Sequence, residues 1–148
     1  FQMLSGDEML VADCAAPQRA FYLQVMGGAR LEVRANAFGK AVLAHSGAET
    51  LARIIKRKLI KGEDFKRKAY EDELAAVRQS GLAYDLEEYT RGIFCIASPV
   101  FAPGGAPAGA IGVTGLISHL SESKLKETEI LVKDNAKKLT CLVAAEIR

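Results

Sequence analysis

A thiol and a hydroxyl stand at matching positions of two neighbouring β-prone runs. The first run is Gly92-Ile93-Phe94-Cys95-Ile96-Ala97-Ser98-Pro99-Val100-Phe101, and the second is Ala108-Gly109-Ala110-Ile111-Gly112-Val113-Thr114-Gly115-Leu116. Period-two alternation puts Ile93 and Cys95 on one face of the first, and Gly112 and Thr114 on one face of the second. Gly112 has no side chain, so it is expected to leave a space beside the two polar groups. A thiol, a hydroxyl and a gap side by side suggest a small-molecule pocket floored by a sheet.

Other residues could carry chemistry, and each has an ordinary alternative. A cysteine nucleophile needs a base or a positive environment to become thiolate. The only imidazoles are His45 and His119, and neither stands in a catalytic frame, so Cys95 reads as a core or pocket-wall residue. Asp85, Glu87 and Glu88 lack partners at a metal-ligand spacing, so no metal is expected, and the run reads as a solvated acidic loop. Asp85 directly follows strand-like Leu82-Ala83-Tyr84, so it can turn inward and accept from a ligand or from backbone amides. The amides of Ala37 and Phe38 open a helix and suit a carboxylate, though the local sequence favours an ordinary capped helix packed on the sheet. Arg53–Lys68 is the most basic stretch, but the acids that follow dilute it and its apolar residues mark a packed element with a solvated face. Gly104-Gly105 has neither the Lys-Ser/Thr nor the helix of a phosphate loop, so turn chemistry suffices.

These groups need a scaffold, and the composition provides for one. The chain has 148 residues, 49% hydrophobic and 26% charged, which suits one domain with a substantial core. A formal net charge of +2 is too small to indicate a polyanion partner. No apolar run reaches the roughly 18 residues of a spanning helix, and no secretory signal is visible. Three cysteines, Cys14, Cys95 and Cys141, form no close-spaced ligand motif, so reduced thiols in the cytoplasm are expected. The chain opens with Phe1, which is taken as the start of a piece of a longer protein.

Strands are expected at Phe1–Leu4 and Glu8–Asp13 around a Ser5-Gly6-Asp7 turn, then at Ala20–Met26 with Phe21, Leu23 and Val25 on one face, and at Leu31–Arg34 after Gly27-Gly28. Asn36 should cap a helix over residues 37–44, in which Gly39 points to close packing or close approach of a ligand. Helices follow over Glu49–Ile55 and over Lys68–Ser80 with Gly81 as its stop. Leu82–Tyr84 re-enters the sheet and Asp85–Arg91 is a loop. Ala102-Pro103-Gly104-Gly105-Ala106-Pro107 turns the two accented strands antiparallel. A long amphipathic helix from about Ser121 presents Leu125, Val132, Ala136, Leu139, Val143 and Ile147. This order is α+β: an antiparallel sheet flanked by helices. No dinucleotide fingerprint follows a strand.

Four segments resemble one family in its order. Ala35-Asn36-Ala37-Phe38-Gly39-Lys40-Ala41-Val42-Leu43-Ala44 is similar to the Gly-Lys-Ala helix signature of IclR-type transcription regulators. Gly81-Leu82-Ala83-Tyr84-Asp85-Leu86-Glu87-Glu88-Tyr89-Thr90-Arg91-Gly92 resembles their stretch of Gly-aromatic-Ala-x-Asp-x-Glu-Glu closed by a later Gly. Cys95-Ile96-Ala97-Ser98-Pro99-Val100 resembles their cysteine strand, and Gly112-Val113-Thr114-Gly115 stands where the family has Ser-hydrophobic-Ser-Gly. The resemblance spans nearly the whole chain. It implies residues 1–148 as one GAF-like effector-binding domain with a long C-terminal helix, the family's N-terminal winged helix-turn-helix lying outside the chain. It further implies a cytoplasmic prokaryotic regulator, a homodimer or homotetramer, with no catalysis, no cofactor and no membrane contact. DNA would be bound only through the missing domain.

The resemblance places the ligand site on Ala37, Phe38, Asp85, Cys95, Gly112 and Thr114, with an apolar patch from Leu23, Leu31 and Ile93. The effector it implies is a small carboxylate or aromatic metabolite. Gly112 replaces a hydroxyl and Phe38 a smaller residue, so a larger or more apolar acid is expected here. Two other classes stand beside the sensor: a Cys95-dependent redox enzyme, and a ligand-free interaction or oligomerisation module.

Overall fold

The computed structural model describes residues 1–17, 23, 25–59 and 66–146. Its elements are β1 (Gln2–Ser5), β2 (Glu8–Val11), β3 (Arg30–Glu32), α1 (Ala37–Leu43), α2 (Ala48–Leu59), α3 (Arg67–Ser80), β4 (Ala83–Leu86), β5 (Ile93–Phe101), β6 (Pro107–Leu116) and α4 (Glu122–Glu146), with a 3₁₀ turn at Ile117–His119. The strands form one antiparallel sheet in the order β3-β2-β1-β6-β5-β4. The fold is therefore α+β, as the element order predicts.

Local chemistry explains the elements. Ser5 pairs with Glu8 around a two-residue turn in which Gly6 takes a φ of 66°, open to glycine at no steric cost. Asn36 caps α1 with its Oδ1, and its Nδ2 donates to Gln2 Oε1 at 3.1 Å, tying the helix to β1. Gly81 closes α3 at a φ of 73° with its N–H on the Val77 carbonyl. Ser121 Oγ accepts from the Lys124 amide at the start of α4.

The sheet has two covered faces. One core cluster holds Met9, Val33, Ala37, Phe38, Ala41 and Leu43 of the α1 side, Leu74 and Val77 of α3, and Cys95, Ala97 and Ala110 of the sheet. A second holds Leu82, Phe94 and Ile96 under Val132 of α4, with Tyr84 and Leu125 against it. The sheet itself has a narrow seam: β1 meets β6 through the single pair Gln2↔Ala110.

Several boundaries differ from the pattern-based reading. Most of the expected strand Ala20–Met26 lies outside the described residues, including Phe21, and Leu23, Val25 and Met26 are not in a strand. Ile147 also lies outside them. The strand expected over Leu31–Arg34 ends at Glu32, whose carboxylate accepts from the amides of Arg34 and Ala35 and turns the chain. The helix expected over Glu49–Ile55 runs from Ala48 to Leu59, and Arg53 and Arg57, one turn apart on it, both pair with Asp7 of the β1–β2 turn. Two members of the basic run are thereby committed to holding α2.

Gly39 packs rather than opens space. A Cβ there would lie 1.9 Å from the Val33 carbonyl oxygen. Gly39→Ala gains about 1 kcal/mol of helix propensity but must displace backbone. The expected net outcome is a loss of about 1–3 kcal/mol, read as a lowered urea midpoint with unchanged slope.

Candidate functional site

Register brings three of the singled-out residues into one transverse row. Asp85 of β4 pairs with Cys95 of β5, and Cys95 pairs with Thr114 of β6. The Cys95 Sγ lies 3.3 Å from Thr114 Oγ1. The same face carries Ile93, and it packs into the cluster that contains Ala37 and Phe38, with Leu31 against it. Leu23 is exposed.

Asp85 is only 2% exposed, and it belongs to β4 rather than to the loop after it. Its Oδ1 accepts from the Glu88 amide at 2.9 Å and the Tyr89 amide at 3.1 Å. The carboxylate therefore organises the turn after β4. Glu87 in that turn adopts a φ of 66°, and its own side chain accepts from the Gly92 amide at 2.6 Å. Burial raises the Asp85 pKa above its ordinary 3.8, against the lowering effect of the Tyr89 and Glu88 amides and of Lys40.

Burial likewise pushes the Cys95 thiol up to about 11, with the hydrogen bond from Thr114 acting the other way and Asp85 reinforcing the rise. At neutral pH Cys95 is a thiol with almost no thiolate. Nucleophilic or redox catalysis needs the opposite shift, so the arrangement suits a pocket wall.

Lys40 is the buried polar link beside this row that pattern reading missed. It is 1% exposed in a helix whose other six residues are apolar or glycine. Its Nζ donates to the Tyr84 carbonyl at 3.0 Å and makes ion pairs of 2.6 Å with Glu88 and with Glu73. One ammonium thus links α1, α3, β4 and the turn that Asp85 organises. A lone lysine in an otherwise apolar heptamer is the signal that marks it: such a helix has no polar face to carry the charge into water.

Two expectations need correction. Gly112 leaves no gap: a Cβ there would lie 2.2 Å from the Ile96 carbonyl oxygen and 2.9 Å from Ala97 Cα. Its missing side chain is taken up by the backbone of β5, so the residue removes a hydroxyl without enlarging anything. The Phe38 amide is not a spare donor either, because it donates to Asn36 Oδ1 at 2.9 Å. Phe38 instead contributes a ring that is 4% exposed in the core.

With this geometry in view, the comparisons with known proteins are specific. The family model described as "Bacterial transcriptional regulator IclR C-terminal" matches residues 1–141. The chain belongs to this family. It is 30% identical over 142 residues to the HTH-type transcriptional regulator BhcR of Paracoccus denitrificans, covering 93% of this chain and 51% of that protein. Identity to the transcriptional repressor IclR of Escherichia coli is 26% over 140 residues, or 92% of this chain and 51% of the repressor. The chain therefore spans about half the length of these relatives. The crystal structure of Thermotoga maritima IclR superposes with a TM-score of 0.83 at 22% identity, covering 96% of this chain and 59% of that one. The fold is that of IclR C-terminal domains, and the matched relatives are transcriptional regulators rather than enzymes. No helix among the described residues is long and apolar enough to cross a membrane.

Two measurements check the site. Glu73→Gln or Glu88→Gln alone leaves the Lys40 ammonium one carboxylate. The double substitution strands a buried charge and should cost about 3–5 kcal/mol, well beyond the sum of the single losses in a double-mutant cycle. Separately, the exposed Cys14 and Cys141 should outpace Cys95 in iodoacetamide labelling. A pKa raised from 9.0 to about 11 slows Cys95 about 100-fold through ionisation alone.

Proposed function

We propose that the chain is the effector-sensing domain of a DNA-binding transcriptional regulator, and that the Asp85–Cys95–Thr114 row is the floor of its effector site. Family membership supports the regulatory role. The observation that carries the site is the convergence, in one register row beneath α1, of a buried carboxylate, an un-ionised thiol and a hydroxyl. Leu31, Ile93 and the α1 residues Ala37 and Phe38 supply the apolar surroundings, and Leu23 and Gly112 complete the set that the family resemblance implies. Phe38 and Gly112 leave few polar donors, which favours an acid with an apolar body over a small, strongly hydrated one.

The proposed mechanism is linkage. An effector that favours one arrangement of the Asp85 turn shifts the populations of the domain, because Lys40 fastens that turn to α1 and α3. A coupling of about 1–3 kcal/mol changes the affinity at the second site by roughly 5–150-fold. Attached DNA-binding domains in a dimer or tetramer would read the shift as altered DNA affinity.

Calorimetric titration with a panel of organic acids, paired with the labelling rate of Cys95, tests this reading. An aromatic or short-chain acid should bind saturably and slow Cys95 further, and Thr114→Val should weaken it about tenfold, the equivalent of one polar contact. Asp85→Asn keeps the acceptor for the turn amides, so it tests ligand binding without collapsing the loop. Tight glyoxylate binding with no response to aromatic acids would refute the apolar reading. Failure of every acid to alter Cys95 labelling would refute the site.

A further inference from the structure

A second candidate site lies at the far end of β5. Pro99 is four residues beyond Cys95, about 13 Å along an extended strand. Here β5 outruns its neighbour: β4 pairs with Phe94–Ala97 and no further. The freed edge is closed by side chains instead. Ser98 Oγ donates to the Gly81 carbonyl at 2.8 Å, and Thr140 Oγ1 accepts from the Phe101 amide at 3.1 Å. Between these braces, α4 and the ends of α1 and α3 border an open, solvent-facing cavity of about 440 Å³, a size within the range of small-molecule sites.

Its lining has a one-sided charge. Arg78, Lys133 and Lys137 border it and no aspartate or glutamate does. None of the three makes an ion pair among the described residues. Arg78 spends its Nε on the Ala44 carbonyl, at 2.6 Å, and its remaining guanidinium donors are not part of that bond. His45, also in the lining, stands edge-on to Phe101 at 5.0 Å between ring centres. Its Nε2 is the one buried side-chain nitrogen or oxygen among the described residues that has no hydrogen-bond partner. Buried polar atoms without partners are rare in folded proteins, and this one belongs to a residue of the cavity lining. Phe101, Pro99 and Ala136 contribute apolar surface to the same wall.

We infer that this cavity is a second ligand site, taking a small aromatic carboxylate whose ring lies on Phe101 and Pro99 and whose acid group meets Lys133, Lys137 and Arg78. The cations gain the counter-charge that the lining lacks. This site is separate from the Asp85 row and does not depend on the role proposed for it.

Cys141 lines the cavity and is exposed, while Cys14 is exposed elsewhere, so the two thiols form a built-in reporter and reference. Benzoate is the probe, and the readout is the ratio of iodoacetamide labelling rates with and without it. Benzoate at millimolar concentration should slow Cys141 at least threefold and leave Cys14 unchanged, with protection fading as potassium chloride is raised. Benzamide, which lacks the charge, and acetate, which lacks the ring, should each need at least tenfold more ligand for equal protection. The double variant Lys133→Ala/Lys137→Ala, and Lys137→Glu alone, should lose protection while keeping the native circular dichroism spectrum. Asp85→Asn should retain it. Unchanged Cys141 labelling in benzoate would overturn the inference. So would protection that survives the lysine substitutions, that benzamide matches, or that Asp85→Asn abolishes.

Discussion

A single buried ammonium holds the working half of this domain together. Lys40 projects from α1 and is met by a carbonyl of β4, a carboxylate of α3 and a carboxylate of the turn after β4. Removing a charge from water costs several kcal/mol, and close, well-directed partners are needed to offset it. The consequence is mutual dependence. The helix, α3 and the turn share one charge, and the turn is itself shaped by Asp85. Glu73 and Glu88 keep substantial exposure, so the charge sits at the boundary of the core, with its counter-ions reaching in from the surface. That arrangement makes the link specific in position yet adjustable in strength.

Around this link the sheet works as a rigid register device. Cross-strand pairing fixes Asp85, Cys95 and Thr114 in line regardless of how the surrounding loops run. A slip of one residue in any of the three strands would send that strand's member of the row to the α4 face. The alternating large and absent side chains of β5 and β6 guard against such a slip. Gly112 and Gly115 admit the β5 backbone and the Phe94 ring respectively, at distances that any side chain would violate.

Much of this was legible in the residues. Strand alternation in Ile93–Phe101 and Pro107–Leu116, the Asn36 cap and the Gly81 stop are local signals, and local physics governs them. The inward aspartate was also readable, since a strand-like tripeptide immediately precedes it. What local patterns could not supply was the use made of missing atoms. A glycine in a strand marks a close approach equally well by a ligand or by a neighbouring chain segment, and at Gly112 the segment is β5. The Phe38 amide was ambiguous in the same way, because a cap residue competes for it. Lys40 was hidden because its partners come from segments distant in sequence. The family resemblance reached these positions as a motif without supplying the reason for them.

The seam between β1 and β6 has an architectural implication. With Gln2↔Ala110 as the sole ladder pair joining them, the sheet consists of two leaves, β3-β2-β1 and β6-β5-β4, each internally complete. The buried Asn36–Gln2 amide contact and the Phe1 ring over Gly109 fasten the leaves at the same spot. The two leaves are thus joined less by a ladder than by side chains and by α1, which packs against strands of both, so their mutual tilt is set by packing rather than by strand pairing.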